Sequence, residues 1–221
     1  MKTAVLAGAT GVVGARVLEL LLARDDVARV VALGRRAPDE SHAKLETHVV
    51  DLTSATAVSR AMPDGVDVAI SCLGTTMKKA GSKAAFRAVD HDAVLELARA
   101  ALRKGARHFL LVSSIGADAS SKNFYLRTKA EAEASVARLG YSKLTVLRPS
   151  FIDDEGARAE ARPLERIGLN LSRAVFGVAG RTRRYAPVRA RTIAQALVAF
   201  AFDAPEGARF VESDEIHRLG G

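Results

Sequence analysis

The chain has 221 residues, of which 48% are apolar, and its 33 Lys and Arg against 25 Asp and Glu give a formal net charge of +8. This length and composition fit one globular domain, exclude general disorder, and permit binding to anionic ligands without choosing among them. The single cysteine, Cys72, excludes an intramolecular disulfide, and no apolar run reaches the roughly 18 residues that would predict a membrane span.

Short apolar blocks typical of buried strands alternate with blocks of helical apolar spacing throughout residues 1–150. The predicted strands are Lys2–Ala7, Arg29–Gly34, Leu45–Val50, Val66–Cys72, Arg107–Ser113 and Lys143–Leu147. The predicted helices between them are Val12–Ala23, Thr53–Met62, Phe86–Arg103 and Asn123–Leu139. Repeated strand–helix units predict an α/β fold, a doubly wound parallel sheet with helices on both faces.

Beyond Pro149 the pattern becomes looser. Two segments have helical spacing, Leu164–Phe176 and Thr192–Phe202, and Arg209–Glu212 is a candidate last strand. Because this region is too short for a second core, we expect residues 151–221 to form a small cap on the same domain as residues 1–150.

A glycine-rich turn joins the first strand to the first helix, with the sequence Gly8-Ala9-Thr10-Gly11-Val12-Val13-Gly14. In such a turn Gly8 permits the tight bend, Gly11 lets the backbone approach a pyrophosphate, and Gly14 allows close packing of helix on sheet. Free N–H groups at the start of the helix then face the phosphates. Because strand, turn, helix and following strand agree, we interpret residues 1–150 as a dinucleotide-binding core.

The residues after the second strand indicate which dinucleotide binds. An NAD site usually has Asp or Glu there, whereas this chain has Arg35 and Arg36. Two guanidiniums suit the 2′-phosphate of NADP(H), which we therefore predict as the cofactor; a solvated arginine pair is the alternative. Asp51, after the third strand, is placed either to bind the adenine amino group or to hold the next helix near Thr53.

Tyr125 and Lys129 stand four residues apart in a predicted helix and so share one face of it. A nearby ammonium lowers the pKa of a phenol, so Tyr125 could exchange a proton with a carbonyl/alcohol pair during hydride transfer. Ser113 and Ser114 end the fifth strand, where a hydroxyl can bind the substrate oxygen. We therefore predict catalytic roles for these four residues.

These motifs carry a family resemblance that spans nearly the whole chain. The sequence resembles the atypical short-chain dehydrogenase/reductases, and within them the Tat-interacting-protein oxidoreductase group. The matching features are Gly8, Gly11 and Gly14, Gly34-Arg35-Arg36, Cys72-Leu73-Gly74-Thr75-Thr76, Ala80-Gly81, Val89-Asp90, Ser113-Ser114, Gly116-Ala117-Asp118, Tyr125 to Lys129, Arg148-Pro149 and Ile216-His217. Asp90 stands where extended members often carry Asn.

The resemblance implies a Rossmann-like fold that binds NADPH. It assigns to the cofactor site Thr10, Gly11, Val12, Val13, Arg35, Arg36, Leu73, Gly74, Tyr125 and Lys129. It also implies that Ile152 lines the nicotinamide end and that Arg162 lies near the cofactor or substrate. Tyr125 would be the proton donor and acceptor.

The resulting hypothesis is an NADP(H)-dependent oxidoreductase acting on a small carbonyl or alcohol. One alternative is a non-catalytic NADP(H)-sensing regulator or scaffold, in which the cluster from Arg181 to Arg191 would be a partner surface. Another is a sugar-nucleotide epimerase or dehydratase, against which Arg35, Arg36 and the chain length argue. We expect no metal site and no nucleic-acid binding, leave a homodimer open, and, without a secretory signal, expect a cytoplasmic protein.

Overall fold

The computed structural model describes residues 1–153 and 184–219. Its strands are β1 (Lys2–Ala7), β2 (Val27–Gly34), β3 (Leu45–Val49), β4 (Val68–Ser71), β5 (His108–Val112), β6 (Lys143–Arg148), β7 (Ile152–Asp153), β8 (Val188–Arg189) and β9 (Gly207–Glu212). Seven of them form one parallel sheet in the order β3-β2-β1-β4-β5-β6-β9. The short strands β7 and β8 pair separately, also in parallel.

Helices cover both faces of this sheet. They are α1 (Val12–Leu22), α2 (Ala55–Ala61), α3 (Met77–Ala80), α4 (Lys83–Arg87), α5 (Ala93–Arg103), α6 (Phe124–Ala137), α7 (Ala190–Asp203) and α8 (Ser213–Leu219). One core cluster joins the sheet to α1, α7 and α8, and a second joins the opposite face to α2, α5 and α6. The predicted doubly wound α/β class is therefore confirmed.

The predicted helix Phe86–Arg103 is interrupted. A π-helical turn, Ala88–Asp92, separates α4 from α5 and buries both Asp90 and His91. Such a turn widens the helix by one residue and is frequent at functional sites. The apolar spacing of the segment did not reveal the interruption, and α3 was not predicted at all.

The C-terminal part of the chain, which the sequence assigned to a small cap, contributes to the core. β9 pairs with β6 from Lys143↔Gly207 to Arg148↔Glu212 and forms an edge of the main sheet. α7 packs against α1, with Ile193 and Leu197 fully buried. Within residues 184–219, β9 therefore belongs to the main sheet and α7 to its core. The predicted helix Leu164–Phe176 lies outside the described residues.

His108 makes the stability of this core depend on pH. It is 4% exposed, its Nε2 lies 2.9 Å from the Thr145 hydroxyl, and burial lowers the pKa of its imidazole to about 4. The folded protein therefore holds a neutral imidazole that the unfolded chain protonates below its ordinary pKa of about 6.5. Stability from this group is present above pH 6.5 and is lost as the pH falls towards 4.

We expect the wild type to lose about 2 kcal/mol of unfolding free energy from His108 between pH 8 and pH 5. Urea denaturation at both pH values, compared with His108→Gln, isolates this contribution because the other titrating groups cancel. Equal losses in the two proteins would contradict the assignment.

Candidate functional site

The carboxyl ends of β1, β2 and β4 border an open cleft. From β1 the chain first builds the sheet towards β3 and later builds it in the opposite direction through β4. Ligands bind in open parallel sheets at this reversal of strand order. The segments that line the cleft include residues 8–11, 32–36 and 72–75.

The glycine turn of this cleft depends on close backbone contacts. Gly8 has φ +87°, and a Cβ on it would lie 2.7 Å from the Cys72 carbonyl oxygen. A Cβ on Gly14 would lie 2.0 Å from the Gly8 carbonyl oxygen, so α1 can approach the turn only without a side chain there. Gly11 precedes α1 and offers no side-chain cap, which leaves the first N–H groups of the helix available. A dinucleotide pyrophosphate fits such a turn.

The other predicted residues of the turn are divided between cleft and core. Thr10 is exposed and lines the cleft. Val12 is half-buried, and Val13 is 6% exposed in the core beneath α1. Val12 and Val13 can therefore contribute to phosphate binding through their backbone N–H groups.

Arg35 and Arg36 follow β2, line the cleft and are exposed. Asp51 lines the cleft beside them, and its Oδ1 accepts hydrogen bonds from the backbone N–H (2.9 Å) and the hydroxyl (2.7 Å) of Thr53. These bonds, with a smaller contribution from Arg35, lower the pKa of the Asp51 carboxyl below its usual range. Asp51 thus holds the chain ahead of α2, which is one of its two predicted roles.

The turn after β4 connects the cleft to the predicted catalytic residues. Leu73 and Gly74 both line the cleft, and Leu73 also packs on the core. A Cβ on Gly74 would lie 3.7 Å from Asp90 Oδ1 and 3.8 Å from Lys129 Nζ. Burial raises the pKa of the adjacent Cys72 thiol to about 12, so this thiol stays protonated at neutral pH.

Tyr125 and Lys129 lie on α6, as their spacing predicted. The Tyr125 ring is half-buried and packs with its centroid 5.6 Å from that of Phe86. Lys129 is buried, and its Nζ lies 2.8 Å from Oδ1 of the fully buried Asp90. Burial disfavours the Lys129 ammonium, but attraction to Asp90 and to Tyr125 outweighs it and raises the pKa of Lys129. The ammonium is therefore charged at neutral pH.

Ser113 and Ser114 have different surroundings. Ser113 is buried, and its hydroxyl donates a 2.5 Å hydrogen bond to Glu133 Oε1. Glu133 also accepts two hydrogen bonds from Arg148, at 3.0 and 2.5 Å. Ser114 is half-buried, and its hydroxyl makes only a long bond, 3.3 Å, to the Ile115 carbonyl among the contacts described. Ser113 therefore belongs to a buried polar network, whereas the Ser114 hydroxyl has one long hydrogen bond among the contacts described.

The remaining predicted residues lie towards the C-terminal part of the chain. Ile152 is 39% exposed in β7 and pairs with Val188. Arg162, with Arg181 and Arg183, lies outside the described residues. Within the basic cluster, Arg184 makes a 3.2 Å ion pair with Glu212.

Two buried carboxylates of the site, Asp90 and Glu133, were not predicted to be functional. Asp90 was noted as a family feature and as a departure from the Asn of extended members. It did not stand out as a site residue because the same predicted helix also carries Asp92 and Glu96. Glu133 stands four residues after Lys129 and therefore lies on the same face of α6. Its arginine partner, Arg148, belongs to a different strand, and sequence spacing does not reveal that contact.

Neither a cluster of metal-ligating side chains nor a helix long and apolar enough to span a membrane occurs among residues 1–153 and 184–219. The arrangement suits a dinucleotide along the cleft, with a phenol, an ammonium and a hydroxyl beyond the Leu73–Gly74 turn. Such a set can transfer a proton to or from an oxygen atom.

Residues 8–199 match the family of NAD(P)H-binding proteins. Protein HTATIP2 of Rattus norvegicus is 37% identical over 179 residues, which cover 80% of this chain and 71% of the relative. The mitochondrial protein fmp52-1 of Aspergillus oryzae is 36% identical over 230 residues, covering 100% of this chain and 95% of the relative.

Solved structures share the fold at lower sequence identity. The enzyme WbmH of Bordetella bronchiseptica in complex with NAD+ has a TM-score of 0.72 and 18% identity, covering 96% of this chain and 76% of that one. A short-chain dehydrogenase/reductase superfamily protein of Agrobacterium tumefaciens with bound NAD has a TM-score of 0.73 and 20% identity, covering 98% and 80%. These likenesses show the Rossmann-like fold and do not distinguish NADP from NAD.

The expectation of a cytoplasmic protein is wrong by these findings, because similar fungal proteins, including FMP52 of Coccidioides immitis at 37% identity, are named as mitochondrial. The predicted family resemblance is confirmed by the matched residues 8–199, by HTATIP2 and by the shared fold. The chain belongs to the NAD(P)H-binding proteins, as an atypical short-chain dehydrogenase/reductase of the Tat-interacting-protein group.

Proposed function

We propose that this protein is an NADP(H)-dependent oxidoreductase that interconverts a small carbonyl compound and its alcohol. The observation that carries the proposal is the buried, charged Lys129 one helical turn from Tyr125, beside the turn that lines the nucleotide cleft. A surface-exposed tyrosine and lysine at the same spacing would have little influence on each other's protonation, because water screens their charges.

In the proposed mechanism each side chain acts on the substrate oxygen or on the residue that does so. The nicotinamide, when bound, supplies or accepts the hydride. Tyr125 gives its phenolic proton to the carbonyl oxygen in reduction and takes it back in oxidation. Lys129 stabilises the phenolate, and Ser114 orients the oxygen by a hydrogen bond. Ser113 contributes indirectly, by holding the end of β5 through Glu133.

The cofactor would lie with its pyrophosphate on the turn from Gly8 to Gly14 and its adenosine end near Arg35, Arg36 and Asp51. The preference for NADP(H) over NAD(H) rests on charge, because the two residues directly after β2 are exposed arginines and neither is a carboxylate. Leu73, Gly74 and Ile152 would border the nicotinamide end. Arg162 stays a candidate from the family resemblance alone.

Parallel titrations with NADPH and NADH, followed by thermal shift and nicotinamide fluorescence, test this assignment. We expect tighter binding of NADPH, and we expect Arg35→Glu/Arg36→Glu to weaken it by about tenfold or more, because charge-assisted hydrogen bonds are lost and repulsion is added. NADH affinity should change less.

Arg16→Glu/Arg24→Glu is the matched control. Arg16 belongs to α1 and pairs with Glu19, and Arg24 follows α1 and pairs with Asp26. Neither arginine lines the cleft. This control should leave the preference for NADPH intact. Equal affinity for the two nucleotides in the wild type, or an undiminished preference in Arg35→Glu/Arg36→Glu, would contradict the assignment of NADP(H).

A further inference from the structure

The π-helical turn brings one carboxylate to two functional parts of the site at once. Asp90 Oδ1 lies 2.8 Å from Lys129 Nζ, and Asp90 Oδ2 accepts a 2.9 Å hydrogen bond from the backbone N–H of Thr75. Thr75 belongs to the turn that lines the nucleotide cleft. Asp90 therefore joins the helix that carries Tyr125 to the loop that lines the cleft.

The charge of Asp90 matters because its side chain and that of its partner are buried. The Asp90 side chain is 0% exposed and that of Lys129 is 7% exposed. At such sites a charge acts on its neighbours with little solvent screening. An amide at this position would accept a hydrogen bond from Lys129 but would not cancel the charge of its ammonium. We therefore expect Tyr125 to ionise at a different pH with an amide than with a carboxylate at position 90.

Other charged groups near the pair are already matched with partners. Glu133 is bound by Arg148, Glu131 pairs with Arg87, and His91 contacts Asp92 and Ser135. Glu133 also attracts the Lys129 ammonium. Because Glu133 is the same in the wild type and in the Asp90 variants, a difference between these proteins reports the charge of Asp90.

We propose that Asp90 is a positioning residue that fixes the Lys129 ammonium and the cofactor loop together, and that its negative charge sets the pH at which Tyr125 ionises. This inference rests on the proposed function only for its consequence in turnover. A carboxylate beside the ammonium reduces the stabilisation that Lys129 gives to the phenolate.

The test is the ultraviolet titration of Tyr125 in the protein without cofactor, assigned by difference from Tyr125→Phe. Burial raises the pKa of Tyr141, and the contribution of the exposed Tyr185 is common to both proteins, so it cancels in the difference. We expect Asp90→Asn to lower the pKa of Tyr125 by about one unit, because the ammonium is no longer compensated.

Two further variants separate charge from shape. Asp92→Asn is the matched control, since Asp92 belongs to the same π-helical turn but is half-exposed and pairs with His91. It should leave the titration of Tyr125 nearly unchanged. Asp90→Glu keeps the charge and should restore most of the wild-type value. An Asp90→Asn titration equal to that of the wild type, or to that of Asp92→Asn, would overturn the proposal.

A denaturation cycle gives a second measurement of the pairing where the variants fold. If Asp90→Asn alone does not fold, Asp90→Asn/Lys129→Gln should still be at least as stable as Lys129→Gln, because the double variant holds no unpaired buried charge, and a lower stability would contradict the pairing. Breaking one partner of a buried ion pair destabilises more than replacing both. The loss of unfolding free energy in Asp90→Asn/Lys129→Gln should therefore be smaller than the sum of the losses in the two single variants. Additive losses would contradict the pairing. Neither measurement needs cofactor or substrate, so a Tyr125 shift in a protein that binds no NADP(H) would refute the proposed function and leave this inference standing.

If turnover is found, the sign of its pH dependence follows. With Asp90→Asn the phenolate forms at lower pH, so oxidation of the alcohol should begin at lower pH and reduction of the carbonyl should decline at lower pH. A structural role for Asp90 alone would lower the rate without moving these profiles.

Discussion

Tyr125→Phe is expected to lower the rate of NADPH-dependent carbonyl reduction by about 10²–10⁴-fold, the range typical of a lost general acid. The change removes one oxygen and keeps the ring that packs on Phe86. In the proposed mechanism the phenol acts on the substrate oxygen in the transition state and does not hold the cofactor. The Kd for NADPH should therefore stay within about twofold of the wild type.

Steady-state kinetics and fluorescence titration of the same samples measure the two quantities. Tyr141→Phe is the control, since the Tyr141 hydroxyl donates a 2.5 Å hydrogen bond to the Ala98 carbonyl in the core. It should cost about 1 kcal/mol of stability without affecting turnover. A parallel loss of rate and NADPH affinity in Tyr125→Phe would indicate a role in cofactor binding rather than in proton transfer.

Gly14→Ala should destabilise the fold and abolish tight cofactor binding together. The added Cβ would lie 2.0 Å from the Gly8 carbonyl oxygen, and a backbone atom cannot turn away as a flexible side chain can. Either α1 moves off the sheet or the glycine turn opens. We expect a loss of about 3 kcal/mol in unfolding free energy, the upper end for overpacking, and at least a tenfold rise in the Kd for NADPH.

Chemical denaturation and NADPH titration test this prediction, with Gly65→Ala as the control. Gly65 has φ +70°, and no atom lies within 4 Å of the position that a Cβ would take there, so its change isolates backbone strain of about 1 kcal/mol. Its cofactor affinity should be unchanged. A Gly14→Ala protein as stable as Gly65→Ala would show that α1 does not need the close approach.

The sequence was sufficient for those parts of the fold that depend on local pattern. β1, the Gly8–Gly14 turn and α1 follow from an apolar run, fixed glycine spacing and helical periodicity, and all three lie as predicted. The place of Tyr125 and Lys129 on one helix follows from their spacing. The nearness of the Leu73–Gly74 turn follows from parallel topology, which brings the ends of neighbouring strands to one edge.

Other features depend on contacts between distant parts of the chain. In the Asp90–Lys129 pair, Asp90 lies in a π-helical turn. The spacing of apolar residues in the sequence does not distinguish such a turn from a regular α-helix. Ser113 and Ser114 are adjacent and chemically identical, and only their neighbours in space, above all Glu133, give them different surroundings. The place of β9 beside β6 was hidden because four of its six residues, Gly207 to Phe210, are exposed and give the strand no buried-strand signature.

The most direct measurement of the central claim is hydride transfer itself. The purified protein is incubated with NADPH carrying deuterium on the transferable position and with a panel of aldehydes and ketones, and the products are analysed by mass spectrometry. We expect deuterium on the carbinol carbon of at least one alcohol product, and we expect Tyr125→Phe to form little or none of this labelled alcohol. Tight NADPH binding with no transfer to any carbonyl would contradict the oxidoreductase and favour a cofactor-responsive regulator.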